Sequence, residues 1–365
     1  MIKNDRVLSG VEKAVNSLCA LYESYGFSQY KMSKFEEYDL YAKNKDFLVS
    51  ESVITFTDTD GKLMALKPDV TLSIIKNAKE SVGVNKLFYN ETVYRVSKGT
   101  KSFKEFMQVG LECLGDIDEY SVAEVLMLAA KSLNTISNDY VLDISHLGVV
   151  KGVLEQTDVS ADGKKQILSC LGEKNVQGIE AVCEEEKVGK AQTEVLKKLV
   201  AVYGAPEMVI AQLKNLNLGG EAAQSLSELE SIIAALKIFG IDKINIDFSV
   251  VNDMGYYNGV VFKGFISGIP TGILSGGEYD KLMQKMSKKS RAIGFAVYLD
   301  ELEKLNEKQK DFDVDVLVVY ADTNINDVCK LVKEITDGGE TVLAVKIFDE
   351  KIKAKRVVNL LKGGN

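Results

Sequence analysis

The chain has 365 residues, 46% of them hydrophobic, enough to bury the cores of two or three domains. Its net charge of −8 and pI near 5.1 exclude a surface built mainly to grip nucleic acid or anionic lipid, which needs clustered cations. A single histidine, His146, and five scattered cysteines without a CxxC pair leave no support for a metal cluster, a serine–histidine relay or a disulfide framework.

Apolar residues at 11, 15, 18, 21, 22 and 25 recur at helical spacing and predict a first helix over 11–25. Ser9 and Glu12 form a capping-box pattern ahead of it, and Gly26 stands at its end. Asp60-Gly61 then separates two strand-like runs, a strong hairpin signal. A short helix is expected from about Asp69. The runs LFYNETVYRV and FMQVGLECLG read as a second hairpin around a polar loop, and Ser121 with Glu124 caps the apolar helix that follows.

From about residue 148 to 236 the pattern turns to Lys- and Glu-rich helices, read as a helical insertion. Strands resume at KINIDFSVV and through MGYYNGVVFKGFISGIPTGILSGG, where Tyr256 and Tyr257 are expected in a strand, on opposite faces. A helix is expected over residues 292–302. The tail from about 311 reads as strand, helix, strand, helix, a small α/β unit. Hairpins dominate the body, so the expected class is α+β, an antiparallel sheet flanked by helices. Neither GxGxxG nor GxxxxGK[ST] occurs, so no nucleotide cofactor is implied. No run approaches 18 apolar residues and no apolar signal core opens the chain, so a soluble cytoplasmic protein with reduced thiols is expected.

Four segments in register carry a resemblance. LKPDVT (66–71) is similar to LRPEGT, and YRVSKGTKSFKEFMQVGLECLG (94–115) to an arginine-bearing strand–loop–strand. NDMGYYNGVVF (252–262) stands where RGLDYYTG.VF is expected; SGGEYDKL (275–282) and IGFAVYLDEL (293–302) are similar to GGRYDGL and GFA.GLERL. Together they resemble the class II histidyl-tRNA synthetases over roughly residues 1–310. The resemblance implies a synthetase-like core over 1–310 that contains the insertion, and a truncated α/β unit over 311–365.

That family activates histidine with ATP and uses three arginines to do so. The chain has only four arginines, and of the three positions only Arg95 keeps one. Asn252 and Glu301 stand at the other two, and Ser97 and Ser102 replace loop residues that serve ATP. Losing one preorganised donor costs ~100- to 1000-fold in rate, so two independent losses multiply to roughly 10⁴–10⁶. The implied histidine pocket is largely kept. Asp69 and Gln108, with Thr71 beside them, suit the ligand ammonium, Glu112, Tyr257 and Tyr279 the imidazole, and Arg95 either pairs with the carboxylate or holds the pocket shape.

Within this family the pattern resembles the non-catalytic regulatory subunits of ATP phosphoribosyltransferase. The resemblance implies a short catalytic subunit as partner, a homodimer within a hetero-oligomer usually described as hetero-octameric, and histidine as effector, with no tRNA and no membrane. The alternatives are an active histidine–tRNA ligase and an amino-acid-binding paralogue with another partner. Read without the motifs, Asp69 after Pro68 simply caps a helix, and His146 is a structural residue. Glu112 in an apolar strand resists such a reading, because a buried unpaired carboxylate is costly.

Overall fold

The computed structural model describes residues 10–45, 48, 53–78, 83–96, 102–216, 218–250, 256–303 and 312–360. The chain divides into two units, residues 14–303 and residues 304–365 with 1–13. The first helix is α1 (Gly10–Ser24), closed by Gly26 at φ +81°, where a glycine fits the left-handed turn. Ser9 of the expected capping box lies outside the described residues.

Short elements follow: β1 (Ser28–Gln29), β2 (Phe35–Glu37), α2 (Tyr38–Ala42), β3 (Thr55–Thr57), β4 (Leu63–Leu66) and α3 (Thr71–Asn77). β3 and β4 form the expected hairpin around Asp60-Gly61, with β2 on the other side of β4. Two 13-residue strands, β5 (Val84–Val96) and β6 (Phe103–Gly115), make the long hairpin, and α4 (Glu119–Ile136) follows it. The cap of α4 differs from the sequence reading. Asp118, not Ser121, is its N-cap, accepting from the Ser121 amide at 2.8 Å, because the helix starts three residues earlier.

Then come β7 (Tyr140–His146), α5 (Leu147–Glu155), α6 (Ala161–Gly172), α7 (Val176–Glu185), α8 (Lys190–Ala201), β8 (Tyr203–Gly204), α9 (Pro206–Lys214) and α10 (Gly220–Ile238). This is the helical stretch expected from composition. His146 has the structural role expected of it: its Nδ1 accepts from the Gly148 amide at 3.1 Å and caps α5, and its Nε2 faces Glu228 at 3.3 Å. β9 (Ile244–Asp247), β10 (Val260–Ile266), β11 (Leu274–Glu278), α11 (Asp280–Lys285), β12 (Arg291–Tyr298) and α12 (Asp300–Glu303) complete the unit.

Nine strands join in the order β1-β5-β6-β12-β11-β10-β7-β9-β8, antiparallel except where β1 meets β5 and β7 meets β9. Alternation fixes the two faces. One carries Phe88, Phe262 and Phe295, closed by Tyr22 of α1, whose ring lies about 6 Å from those of Phe88 and Phe295. The other carries Glu112, Gln108, Gly294 and Lys263, and is the face that matters here.

Two sequence expectations fail on strand β12 and the tail. Most of residues 292–302 are strand, with helix only in α12 at the end: Ile293, Phe295 and Val297 alternate with Ala292, Gly294 and Ala296, and this period of two forms a central strand. In the second unit β13 (Val314–Val319), α13 (Ile325–Asp337) and β14 (Val342–Val345) agree with the reading, but KAKRVVNLL yields β15 (Ala354–Asn359) instead of a helix. Parallel pairing of Val357 and Val358 with Leu317 and Val318 overrides the helix propensity of its lysines and alanine. Among the described residues no helix is long and apolar enough to cross a membrane.

Candidate functional site

Glu112 lies in the middle of β6, buried, opposite Gly294 on one side and Leu87 on the other. It fits because Gly294 has no side chain: a Cβ there would stand 1.8 Å from Glu112 Oε2. Two hydroxyls hold the carboxyl. Thr71, at the start of α3, donates to Oε1 at 2.7 Å, and Tyr279, between β11 and α11, donates to Oε2 at 2.5 Å. Burial pushes the Glu112 carboxyl up to about 8, against the pull of those two bonds. Gly294→Ala is therefore expected to dislodge Glu112, and calorimetry should show at least a ~10-fold loss of ligand affinity.

The remaining expected residues gather around this group. Asp69 is raised by its burial and held back by the Leu72 amide and the Arg95 charge; its Oδ1 accepts from Leu72 N at 2.9 Å, the capping role its place after Pro68 suggested. Arg95 donates from Nε to the Pro68 carbonyl at 2.8 Å and lies 6.0 Å over the Phe106 ring, so it borders the site from the end of β5. Gln108, 4% exposed, stands on the same face as Glu112, between Glu91 and Tyr298 in register.

Tyr256 and Tyr257 correct the sequence reading. They precede β10 in a turn, not a strand, so strand alternation does not separate them. Their rings meet edge-on at 4.6 Å, and Tyr256 reaches within 5.8 Å of Tyr279. Thr71 hydrogen-bonds the Tyr256 hydroxyl, so Tyr256 joins the Glu112 cluster while Tyr257 stands over Gly277. Tyr89, buried beside Gly110, adds another phenol; a Cβ at residue 110 would come within 2.5 Å of its hydroxyl. No motif position points to Tyr89, although Gly110 opposite it is visible in the sequence.

The positions expected to serve ATP give the contrasting picture. Asn252 and Ser97 lie outside the described residues, and of Glu301 only the backbone in α12 is described. Tyr298 stands at the glycine of the GLER pattern, and its phenol hydrogen-bonds Ser275 at 2.9 Å. Arg291 is committed elsewhere. It meets Glu278 at 2.5 Å, Asp280 at 3.2 Å and the Ile117 carbonyl at 2.9 Å. Glu278 itself stands where the GGRYD pattern has arginine. Arg356 pairs with Glu340 in the second unit. Among the described residues, Arg95 is thus the arginine left at the site.

The arrangement is a shielded carboxyl ringed by phenols and a threonine hydroxyl, with a second carboxyl and an amide alongside. It suits a small ligand that carries both a cationic group and a nitrogen heterocycle. Among the described residues no three His, Cys, Asp or Glu side chains are grouped to hold a metal ion.

The family model for histidyl-tRNA synthetase matches residues 6–302. The ATP phosphoribosyltransferase regulatory subunit of Clostridium kluyveri is 27% identical over 353 residues, spanning 93% of this chain and 90% of that protein. A Bacillus halodurans structure described as an ATP phosphoribosyltransferase regulatory subunit/histidyl-tRNA synthetase superposes with a TM-score of 0.79 at 21% identity, covering 97% of this chain and 95% of that one. An ATP phosphoribosyl transferase complex from Thermotoga maritima gives 0.63 at 20% identity, covering 79% and 97%. The structural likenesses establish the fold.

Proposed function

The chain belongs to the histidyl-tRNA synthetase family, and from that premise we propose that it is a non-catalytic regulatory subunit of ATP phosphoribosyltransferase. It activates a short catalytic subunit and transmits feedback inhibition by histidine. The observation that carries this reading is the asymmetry of the site. The Glu112 cluster is buried and hydrogen-bonded, while two of the three adenylation arginines are replaced by Asn252 and Glu301 and the nearby Arg291 is committed to other pairs. Relatives bearing that name across most of their length, and the complex from Thermotoga maritima, support the choice of partner.

Histidine occupies the pocket with its imidazole on Glu112, Tyr257 and Tyr279, its ammonium on Asp69, Thr71 and Gln108, and its carboxylate towards Arg95. Tyr256 joins the ring of phenols. Feedback requires that histidine bind the less active state of the complex more tightly than the active one. The chain works in the cytoplasm as a homodimer within a hetero-octamer, and its five free cysteines suit a reducing compartment.

Mixing the chain with a short phosphoribosyltransferase subunit should yield a complex whose activity exceeds that of the subunit alone and falls with added histidine. No complex, or activity indifferent to histidine, sinks the assignment. Histidine-dependent ATP–pyrophosphate exchange by the isolated chain should stay at background; robust exchange would restore the ligase reading.

A further inference from the structure

A cavity of about 400 Å³ opens on the same sheet face beside the Glu112 cluster, with Tyr257 in its wall. That volume is at the small end for ligand sites. Its floor is set by register: Asn245, Asp143, Lys263 and Ser275 form one cross-strand row, with side chains on a single face. Gly172 at the end of α6 closes it from the helical side.

The charges in this cavity are unevenly satisfied. Asp247 is already neutralised, with Lys174 at 2.8 Å and the Ser249 amide at 2.8 Å. Asp143, 7% exposed, accepts from Asn245 Nδ2 at 3.1 Å, and among the described residues it has no ion-pair partner. Lys263 is its cross-strand neighbour, yet it forms no ion pair or hydrogen bond with a described residue. Its stem runs along Gly272, where a Cβ would stand 2.4 Å from its Cε, and its ammonium lies 5.5 Å from the Phe265 ring centroid. Phe265, Tyr257 and Tyr298 supply aromatic walls.

A buried carboxylate and a neighbouring ammonium that do not close an ion pair with each other match a ligand bearing both charges on neighbouring atoms. A plain anion would face Asp143, and a plain cation would face Lys263. We propose that this cavity binds a free α-amino acid, its ammonium on Asp143, its carboxylate on Lys263 and its side chain against the aromatic wall. The site shares Tyr257 with the proposed histidine pocket but takes both of its charged groups from other residues, and it goes beyond the histidine reading.

The test uses the full chain carrying Glu112→Gln, which disables the first pocket, in saturation-transfer NMR against the twenty common L-amino acids. At least one should receive saturation, and its affinity should weaken roughly 10- to 100-fold after Lys263→Gln and after Asp143→Asn. Circular dichroism reports whether each variant folds, and partly exposed Lys263 keeps the test decisive if Asp143→Asn does not. No transfer from any amino acid, or affinity unchanged in folded Lys263→Gln, overturns the proposal. Failure of the histidine reading has a different signature: histidine then binds the chain with Glu112→Gln as it binds wild type.

Discussion

Glu112→Gln is expected to abolish histidine binding and, at pH 8, to leave the chain more stable than wild type. The carboxyl sits at about 8 in the folded chain, because burial penalises its charge more than Thr71 and Tyr279 stabilise it. In the unfolded chain it titrates near ~4.3. Between those values the folded state holds a proton that the unfolded state has lost. Stability from this group is therefore complete below about pH 4.3 and declines as pH rises towards 8. The slope is ~1.4 kcal/mol per pH unit, and the whole decline as much as ~5 kcal/mol. Glutamine keeps the shape and cannot ionise. Denaturant melts of the two proteins should converge near pH 5 and separate steadily up to pH 8. Parallel pH dependences would mean that Glu112 is not held protonated.

The same proton shapes ligand binding. Free imidazole titrates near ~6.5 and Glu112 near 8, so between these values ligand and protein carry one proton between them, and binding neither releases nor takes one up. Below that window a proton must leave, and above it one must be gained. Histidine affinity should peak across the window and fall on both sides, by up to tenfold per pH unit. Calorimetry in buffers of different ionisation enthalpy would detect the protons directly. An affinity that rises without limit towards high pH would contradict the pairing of imidazole with Glu112.

Much of this site is legible in the sequence because its parts lie in short, ordered motifs. Glu112 stands out as a charge in an apolar strand, and Asp69 and Thr71 both follow a proline placed just ahead of α3. What escaped depends on contacts across the chain. Tyr256 was assigned to a strand because YYNGVVF looks continuous, yet the ladder begins only at Val260, and the turn before it sends Tyr256 towards Thr71. Gly294 was noted as part of a motif, but its purpose, leaving room for Glu112, exists only in the register of β6 with β12. The same limit explains β12 and β15. Alanine-, lysine- and leucine-rich runs favour helix locally, and only pairing with strands from elsewhere in the chain makes them strands.

Lys67→Met should destabilise the chain by ~3–5 kcal/mol, and adding Glu91→Leu should restore most of that loss. Lys67 is 1% exposed, stands where the LRPEGT pattern has arginine, and is ion-paired with Glu91 on β5. Glu91 is on the site face opposite Gln108 and also accepts from the Met32 amide at 3.2 Å. The backbone of Lys67 is tied as well, its amide to the Lys34 carbonyl at 3.1 Å and its carbonyl to the Tyr94 amide at 2.9 Å. Removing the ammonium alone leaves a mostly buried carboxylate with one weak donor, whereas removing both charges leaves an apolar contact of similar volume. A double-mutant cycle by urea denaturation separates these outcomes. If the pair serves only as scaffold, the double variant should also regain histidine affinity, because Asp69 and Thr71 follow Lys67 directly and depend on its position. A double variant that is stable yet does not bind histidine would instead place the Lys67–Glu91 charges in contact with the ligand.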